Sequence, residues 1–507
     1  MGGGLSDDGD YTAMWVGLAE MGCNPEKIIE SLERCTDAFY EQGMFTNGLP
    51  SIQTDELHTA EEGLISLGQC LTADFANPKY LEHAMETARS LWWLTGINSA
   101  GHRHVQSTYY NGSKMATERP WRMQQSLSML ALSPAWRVIR HNGNPKLRQL
   151  LIELADGLAA HYHDGELHSY IFYDTDEELS FWKVDESGNR VRTLPAYKFV
   201  GDIHLLYPAY KLTGNRKYFD IIPKVQLKNM PENVPNVNKD EIVKKYDALN
   251  FVAGVREYYN THGHPWIDRV YFEPGPVQRD RIAGVAHVRG DCVYPRNCIR
   301  WRFANLGDDE KLGILSPIAM ENHVKLIVYN MDSEPVTAKI IGSEVLPGQW
   351  KITHGVDTTG DDTADTGIAS FETAFERSTG FEITFAPGAA TIVEMELVQQ
   401  GRSYWDRCDL GVGKEDLHYY AHGLNVTIHS LGAVDSPEVT VALKDKDGRV
   451  LKTALLPPLP APADLWPRYR DVSFNLHGIS TLEGCYVEID PENKLCEITR
   501  ANNIVKL

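Results

Sequence analysis

The dipeptide Asn-Pro recurs at the start of periodic apolar segments and constrains the fold of this chain more than any other feature. It occurs at Asn24-Pro25, Asn77-Pro78 and Asn144-Pro145, and a degenerate copy begins at Asn215. Asparagine is a favourable helix N-cap and proline suits the first helical position, so each copy predicts the start of a helix. The intervals leave room for a helix, a loop and a returning helix, which indicates a repeat of helical hairpins.

The segments that follow these starts carry apolar residues at helical spacing. The clearest example is the series Tyr80, Leu81, Ala84, Ala88 and Leu91. Stacked hairpins form either an open solenoid or a closed (α/α) toroid, and a solenoid usually keeps a stricter period. Long polar loops between some pairs favour the toroid, whose loops at one end line a cleft. We therefore expect residues 1–275 to form an (α/α)-toroid catalytic domain.

The pattern changes from helical spacing to alternation near Pro274-Gly275-Pro276. Apolar residues alternate at Val324, Leu326 and Val328, at Phe381, Ile383 and Phe385, and at Val393, Met395 and Leu397. Turn residues such as Pro347-Gly348 and Pro387-Gly388 separate these segments. We expect residues 276–400 to form an antiparallel β-sandwich.

The sequence pattern of residues 401–507 predicts a second β unit. Alternation recurs at Leu424, Val426 and Ile428 and at Val439, Val441 and Leu443. Asp447-Gly448 is a hairpin signal, and the proline-rich stretch 455–467 is typical of a connecting loop. Short strands over about a hundred residues suggest an immunoglobulin-like accessory domain.

Length and charge exclude several classes of protein. A chain of 507 residues, 42% hydrophobic and 23% charged, is expected to form about three globular domains. Its net charge of −20 disfavours binding to nucleic acid or to a membrane surface. No apolar run is long enough to span a membrane, and the first residues lack the pattern of a signal peptide. The eight cysteines include no CxxC pair, although Cys292 with Cys298, and Cys485 with Cys496, could each close a small loop.

The segment Gly101–Gly112, GHRHVQSTYYNG, concentrates groups that transfer protons. His102, His104, Tyr109 and Tyr110 are candidate acids and bases on a loop bounded by glycines. A second cluster, TDELHTAEEG, places His58 beside a predicted capping box of Thr59 and Glu62. The alternative interpretation is that these histidines and tyrosines are half-buried packing residues.

Candidate substrate-binding residues are arginines, which suit carboxylates, and aromatic or histidine side chains, which suit sugar rings. They are Arg103, Arg119, Trp121, Arg122, Tyr170, Tyr173, His262 and Trp266. Nucleotide-binding, zinc-protease and α/β-hydrolase motifs are absent from the sequence. No cofactor or catalytic metal is expected. The Asp-rich stretch 358–367 is most simply a solvated loop, with structural calcium as the alternative.

A predicted helical toroid followed by a β-sandwich, with His, Tyr and Arg in the toroid loops, resembles (α/α)-toroid polysaccharide lyases. Within that group it is similar to lyases that cleave rhamnosyl–glucuronate linkages. The resemblance is architectural and covers residues up to about 400. It implies an acidic polysaccharide or oligosaccharide as partner and an extracellular or periplasmic location. The 401–507 unit resembles immunoglobulin-type modules appended to secreted enzymes.

β-Elimination from a uronate requires a group that neutralises the carboxylate, a base for the C5 proton and an acid for the leaving oxygen. Arginine or histidine suits the first role, histidine or tyrosine the second, and tyrosine the third. Two alternatives remain open. An (α/α)-barrel glycoside hydrolase would use paired carboxylates, for which Asp55, Glu56, Glu61, Glu62, Asp174 and Asp176 are candidates. A non-catalytic glycan-binding protein would bind sugars without releasing product.

Overall fold

The computed structural model describes an interrupted helical region and a nearly continuous β region. The described residues are 16, 18–43, 45–46, 48–50, 66–68, 70–71, 77–97, 101–105, 110–111, 114–115, 134–160, 168–169, 182–184, 190–192, 197–198, 203–221, 298–479 and 481–507. None of the helices in these segments is long and apolar enough to cross a membrane.

Six helices dominate the first half of the described chain. They are α1 (Pro25–Glu41), α2 (Pro78–Leu94), α3 (134–142), α4 (Pro145–Ala160), α5 (Ile203–Thr213) and α6 (Arg216–Phe219). The predicted helix starts are therefore confirmed at all four copies of the repeat. In three of them the asparagine side chain caps the helix by accepting a backbone N–H, at Asn77, Asn144 and Asn215.

Asn24 departs from the predicted capping mechanism. It lies in the left-handed region with φ of 42° and makes no side-chain cap hydrogen bond. A helical turn ends immediately before it, with Cys23 N–H donating to Leu18 O. Asparagine tolerates this conformation better than most residues, so here it reverses the chain between two helices.

Helices α2 to α6 share one hydrophobic core, whereas Leu32 of α1 packs with Val16 in a separate small cluster. All five predicted apolar residues of α2 are buried within the shared core, and so are Leu67 and Leu71 from the preceding helical segment. Buried residues of α3 and α4 complete the layer. The predicted helical periodicity is confirmed for these segments.

Short antiparallel pairs lie in the long loops between the helices, and the sequence pattern did not predict them. The strands are β1 (Phe45–Thr46), β2 (Leu49–Pro50), β3 (Thr95–Ile97), β4 (Arg103–Val105), β5 (Tyr110–Asn111), β6 (Lys114–Met115), β7 (His168–Ser169), β8 (Trp182–Val184), β9 (Arg190–Arg192) and β10 (Tyr197–Lys198). They form the pairs β1–β2, β3–β4, β5–β6, β7–β10 and β8–β9. Such short runs carry too little alternation to be distinguished from loop sequence.

The first β unit contains two antiparallel sheets. Its strands are β11 (Ile299–Phe303), β12 (Leu312–Met320), β13 (His323–Asn330), β14 (Val336–Gly342), β15 (Gly348–Asp357), β16 (Thr366–Phe375), β17 (Gly380–Phe385) and β18 (Ala390–Gln400). The sheet orders are β11-β14-β17 and β12-β13-β18-β15-β16. Inward residues of both sheets, among them Trp301, Trp350 and Phe385, form one core, as expected of a β-sandwich.

The second β unit also contains two antiparallel sheets. Its strands are β19 (Leu410–Gly411), β20 (Leu417–Tyr420), β21 (Gly423–Ser430), β22 (Val439–Lys444), β23 (Val450–Leu456), β24 (Arg468–Asn475), β25 (Tyr486–Ile489) and β26 (Ile504–Lys506). The predicted Asp447-Gly448 turn joins β22 to β23, and Gly448 has φ of 81°. Cys485 donates to Thr481 O rather than joining Cys496 in a disulfide.

The helical region meets each β unit through a different interface. The contact with the first unit, here called the charged seam, joins Arg137, Arg140 and Lys211 to Glu321 and Glu344. The contact with the second unit, here called the leucine seam, inserts Leu431 and Leu465 into the helical core. The cavities described below lie at these two seams.

Candidate functional site

The histidine-rich loop begins as a β-hairpin at the carboxyl end of α2. Strand β3 continues directly from that helix, and Ile97 pairs with Arg103 across the turn. Gly101 has φ of 83°, a conformation that glycine adopts without strain and that closes the turn. We call residues 95–105 the histidine hairpin, because His102 and His104 lie at and just after its turn.

Arg103 anchors the histidine hairpin to the helices. Its Nε donates to Glu153 Oε2 of α4 at 2.5 Å, and its Nη1 donates to Thr95 Oγ1 at 2.9 Å. The guanidinium also lies 4.8 Å from the ring centroid of Trp92. The side chain predicted to bind substrate is thus paired with a protein carboxylate, and what these contacts explain is the position of the hairpin.

The remaining predicted residues divide into two groups. His102 is half-buried at the end of the hairpin turn, while the backbones of His104 and Tyr110 lie in β4 and β5. The others lie outside the described residues, as does the predicted closeness of His58 to the histidine hairpin. They are His58, Tyr109, Arg119, Trp121, Arg122, Tyr170, Tyr173, His262 and Trp266.

A cavity of about 230 Å³ lies at the charged seam, and we call it the basic cavity. Sequence reasoning did not find it. Its lining comes from α3, α5, the first β unit and the short turn Tyr404–Asp406. The lining residues are Trp136, Arg140, Lys211, Leu212, Glu321, Val345, Leu346, Pro347, Arg377, Gln400, Ser403, Tyr404 and Trp405.

Ion pairs hold the wall of the basic cavity in place. Arg140 Nη1 lies 2.5 Å from Glu321 Oε1, and Lys211 Nζ lies 3.0 Å from Glu321 Oε2. Burial alone would raise the pKa of Glu321, but the charges of Arg140 and Lys211 outweigh burial and hold it at about 2. Burial lowers the pKa of Arg377 to about 10, so this guanidinium stays charged at neutral pH.

Aromatic rings form the rest of the basic cavity. Tyr404 donates its hydroxyl to Val345 O at 3.1 Å and accepts the Arg377 N–H at 2.8 Å. Trp405 packs against Gly143 so closely that a Cβ there would lie 2.4 Å from its ring. The Nε1 of Trp136 is buried and has no acceptor among the described residues. The cavity therefore combines fixed positive charge with aromatic walls.

A second cavity, of about 360 Å³, lies where α2 meets the second β unit, and we call it the acidic cleft. Four carboxylates line it together with two basic side chains, two histidines, a tryptophan and a proline. The lining residues are Lys79, Glu82, His83, Glu86, Arg89, Glu415, Asp416, His429, Trp466 and Pro467. The residues of α2 recur every three or four positions, which places them on one helix face.

Two histidines of the acidic cleft have opposite electrostatic environments. His429 bridges two carboxylates, with Nδ1 at 2.6 Å from Glu82 and Nε2 at 3.0 Å from Asp416. Burial alone would lower its pKa, but the bonds to Asp416 and Glu82 raise it to about 10. His83 stacks on Tyr40 with ring centroids 3.8 Å apart, and burial lowers its pKa to about 4.

Two acidic groups contain side chains of the types that bind cations. His323, Glu394 and Glu396 form the one grouping with metal-ligand spacing in the described segments, and Lys325 Nζ already lies 3.6 Å from Glu394. In the Asp-rich loop, Asp357 and Asp365 accept backbone N–H groups of the loop itself. The loop is exposed, as predicted, and its own hydrogen bonds account for its shape.

Comparisons with known proteins do not identify the chain. A scan against models of protein families finds no match, and a search of curated proteins finds none.

Proposed function

We propose that the chain is a polysaccharide lyase that cleaves a uronate-containing glycan by β-elimination. In this proposal the helical hairpins close into an (α/α) toroid, and residues 401–507 form an immunoglobulin-like domain. The observation that carries the proposal is the anchoring of the histidine hairpin through Arg103, Glu153 and Thr95. Acid and base groups work best on a support that fixes their position before substrate binds, and these contacts supply that support.

The proposed roles follow from the needs of the reaction. A base removes the C5 proton of the uronate, and an acid protonates the departing C4 oxygen. We assign these roles to Tyr109 or Tyr110 with His102 or His104 as partner, and His58 is a further candidate. Arg119 and Arg122 are assigned to the substrate carboxylate, because a cation there makes the C5 proton more acidic. A tyrosine base needs a nearby cation to lower its pKa from about 10.

The proposal is tested by tyrosine-to-phenylalanine variants assayed on uronate polysaccharides. Elimination leaves an unsaturated uronate that absorbs ultraviolet light, so product formation can be followed directly. Tyr109→Phe or Tyr110→Phe should reduce turnover by about 10²-fold or more, because each change removes only the hydroxyl of the ring. Tyr419→Phe is the matched control, since Tyr419 is an exposed tyrosine of β20. Wild-type rates in both tyrosine variants and in His102→Ala and His104→Ala would refute the assignment.

A glycoside hydrolase is the second candidate, and the acidic cleft favours it. Glu86 and Glu415 line this cleft beside Trp466, and a glycosidase needs two carboxylates facing a sugar. If this candidate is correct, the wild type should release reducing ends without any ultraviolet-absorbing product. Glu86→Gln and Glu415→Gln should each abolish that release. Sugar binding without either product would instead support the non-catalytic alternative.

A further inference from the structure

We infer that the basic cavity binds the carboxylate-bearing ring of one acidic sugar, at a site separate from the histidine hairpin. The inference rests on the proposed function only for the choice of a sugar as the carrier of the carboxylate. The cavity itself is defined by residues that neither catalytic assignment uses.

The charge of the lining favours an anion in the basic cavity. Among the described lining residues, the cations Arg140, Lys211 and Arg377 face the single carboxylate of Glu321. Behind the wall, Glu344 Oε1 lies 2.7 Å from Arg137 and its Oε2 lies 3.5 Å from Arg140, so this one carboxylate offsets one of the two guanidinium charges. The lining therefore carries an excess of positive charge within a chain whose net charge is −20. A largely buried excess of this sign, enclosed by protein walls, attracts an anion more strongly than exposed lysines would.

The aromatic lining favours a ring-shaped ligand. Trp136, Tyr404 and Trp405 line the same cavity as the cations. Guanidinium groups already lie over the rings of Tyr404 and Trp405, so these side chains form a fixed aromatic wall against which a sugar ring can pack. Gln400 and Ser403 add polar groups at the wall.

The size and position of the basic cavity suit one sugar ring. A volume of about 230 Å³ lies below the range of pockets for drug-sized ligands, about 300–1,000 Å³, and suits a single ring rather than a chain. The lining belongs to two helices, the first β unit and the turn at Tyr404–Asp406. A ligand that contacts all of them should raise the thermal unfolding temperature of the whole chain.

The test measures binding of glucuronic acid to the full chain by calorimetry and thermal shift, with glucose, acetate and sulfate as comparison ligands. We expect saturable binding of glucuronate, and weaker binding of each comparison ligand. Lys211→Met should weaken glucuronate binding about tenfold, since it removes one charge-assisted contact from the cavity. Gln400→Ala, a change at the exposed end of β18, should weaken it less.

Lys217→Met is the matched control. Lys217 lies on α6, pairs with Asp156 at 2.6 Å and is not part of the cavity lining, so the same change of charge should leave binding unaltered. Equal weakening by both lysine variants would show a bulk charge effect and overturn the inference. Acetate or sulfate binding as tightly as glucuronate would overturn the sugar assignment. Absence of saturable binding to the wild type would overturn the whole inference. Glucuronate binding together with no unsaturated product from uronate polysaccharides would leave this inference standing and count against the proposed elimination.

Discussion

The charged seam and the leucine seam join the same helices to two β units by opposite physical means. In the charged seam, Arg137 and Glu344 form a pair in which both side chains are nearly inaccessible, at 2% and 3% exposure. In the leucine seam, Leu431 and Leu465 complete the helical core. Asn142 and Asn144 donate there to backbone carbonyls of the second β unit. One seam relies on buried charge and the other on apolar burial with amide hydrogen bonds.

This difference separates a seam suited to ligand binding from one suited to stability. The free energy needed to remove two charges from water offsets much of the attraction between them. Replacing a buried ion pair with apolar side chains is therefore often neutral or stabilising. Burying a leucine is favourable without any partner. The charged seam surrounds the basic cavity, whereas His141 and Asp409, fully buried at 2.8 Å in the leucine seam, form no part of the lining of either cavity. We therefore expect the charges around the basic cavity to serve recognition and the buried pair of His141 and Asp409 to serve folding.

The largest predicted effect is the removal of one buried charge from the charged seam. Glu344→Leu leaves Arg137 and Arg140 without this partner, and should lower the free energy of unfolding by about 3–5 kcal/mol. The double variant Arg137→Met/Glu344→Leu should recover much of that loss. Chemical denaturation measures both variants. A double variant as unstable as the single one would mean that the pair itself, and not the orphaned charge, sets the stability.

Truncation of the leucine seam should have a smaller effect. Leu431→Ala opens a space between the helical core and the second β unit, and should cost about 3 kcal/mol in unfolding free energy. Leu455→Ala is the matched control, because Leu455 is 58% exposed on β23 and should change stability by no more than about 0.5 kcal/mol. Equal effects of the two changes would contradict insertion of Leu431 into the helical core.

The pH dependence of His429 gives a third, smaller effect. Its folded pKa of about 10 lies above the value of about 6.5 expected when unfolded, so its stabilisation is complete below pH 6.5 and is lost as pH rises toward 10. His429→Gln should therefore reduce the unfolding free energy by about 2 kcal/mol at pH 6, allowing for partial exposure, and by little above pH 10. Thermal melts across this range test the trend, and a constant difference at all pH values would contradict it.

His141 should show the reverse dependence. Burial lowers its pKa despite the hydrogen bond to Asp409, so the folded protein favours the neutral ring. Its contribution is present above the unfolded pKa of about 6.5 and declines as pH falls below that value. The wild type should lose stability on acidification more steeply than His141→Gln. If the melting temperatures of the two proteins fall equally steeply below pH 6.5, this pair does not titrate with unfolding.

The smallest predicted effect concerns the rim of the acidic cleft. The guanidinium of Arg89 lies 3.7 Å from the ring centroid of Trp466, which is 53% exposed. Trp466→Leu should cost about 0.5–1 kcal/mol through the lost cation–π contact. Arg89→Lys in the same background should add little. A loss as large as that of Leu431→Ala would mean that Trp466 belongs to the core of the seam.

Local signals in the sequence predicted the helix starts and the strand alternation, because capping and periodicity depend on neighbouring residues. Asn24 shows the limit of that approach, since its conformation is set by the helical turn before it. The basic cavity could not be predicted in the same way. Its charges come from α3, α5 and two strand connections far apart in the chain. The segment Trp136–Asn144, WRVIRHNGN, was the nearest available signal, with two arginines and a tryptophan on one helix.

The most direct test of the central claim is to digest a uronate polysaccharide in heavy-oxygen water and weigh the products by mass spectrometry. Elimination expels the C4 oxygen with no attack by water, so the account predicts unsaturated products that carry no solvent oxygen at the cleaved bond. Hydrolysis adds one water across that bond. Products that contain one heavy oxygen per cleavage would contradict the account and identify the chain as a glycosidase.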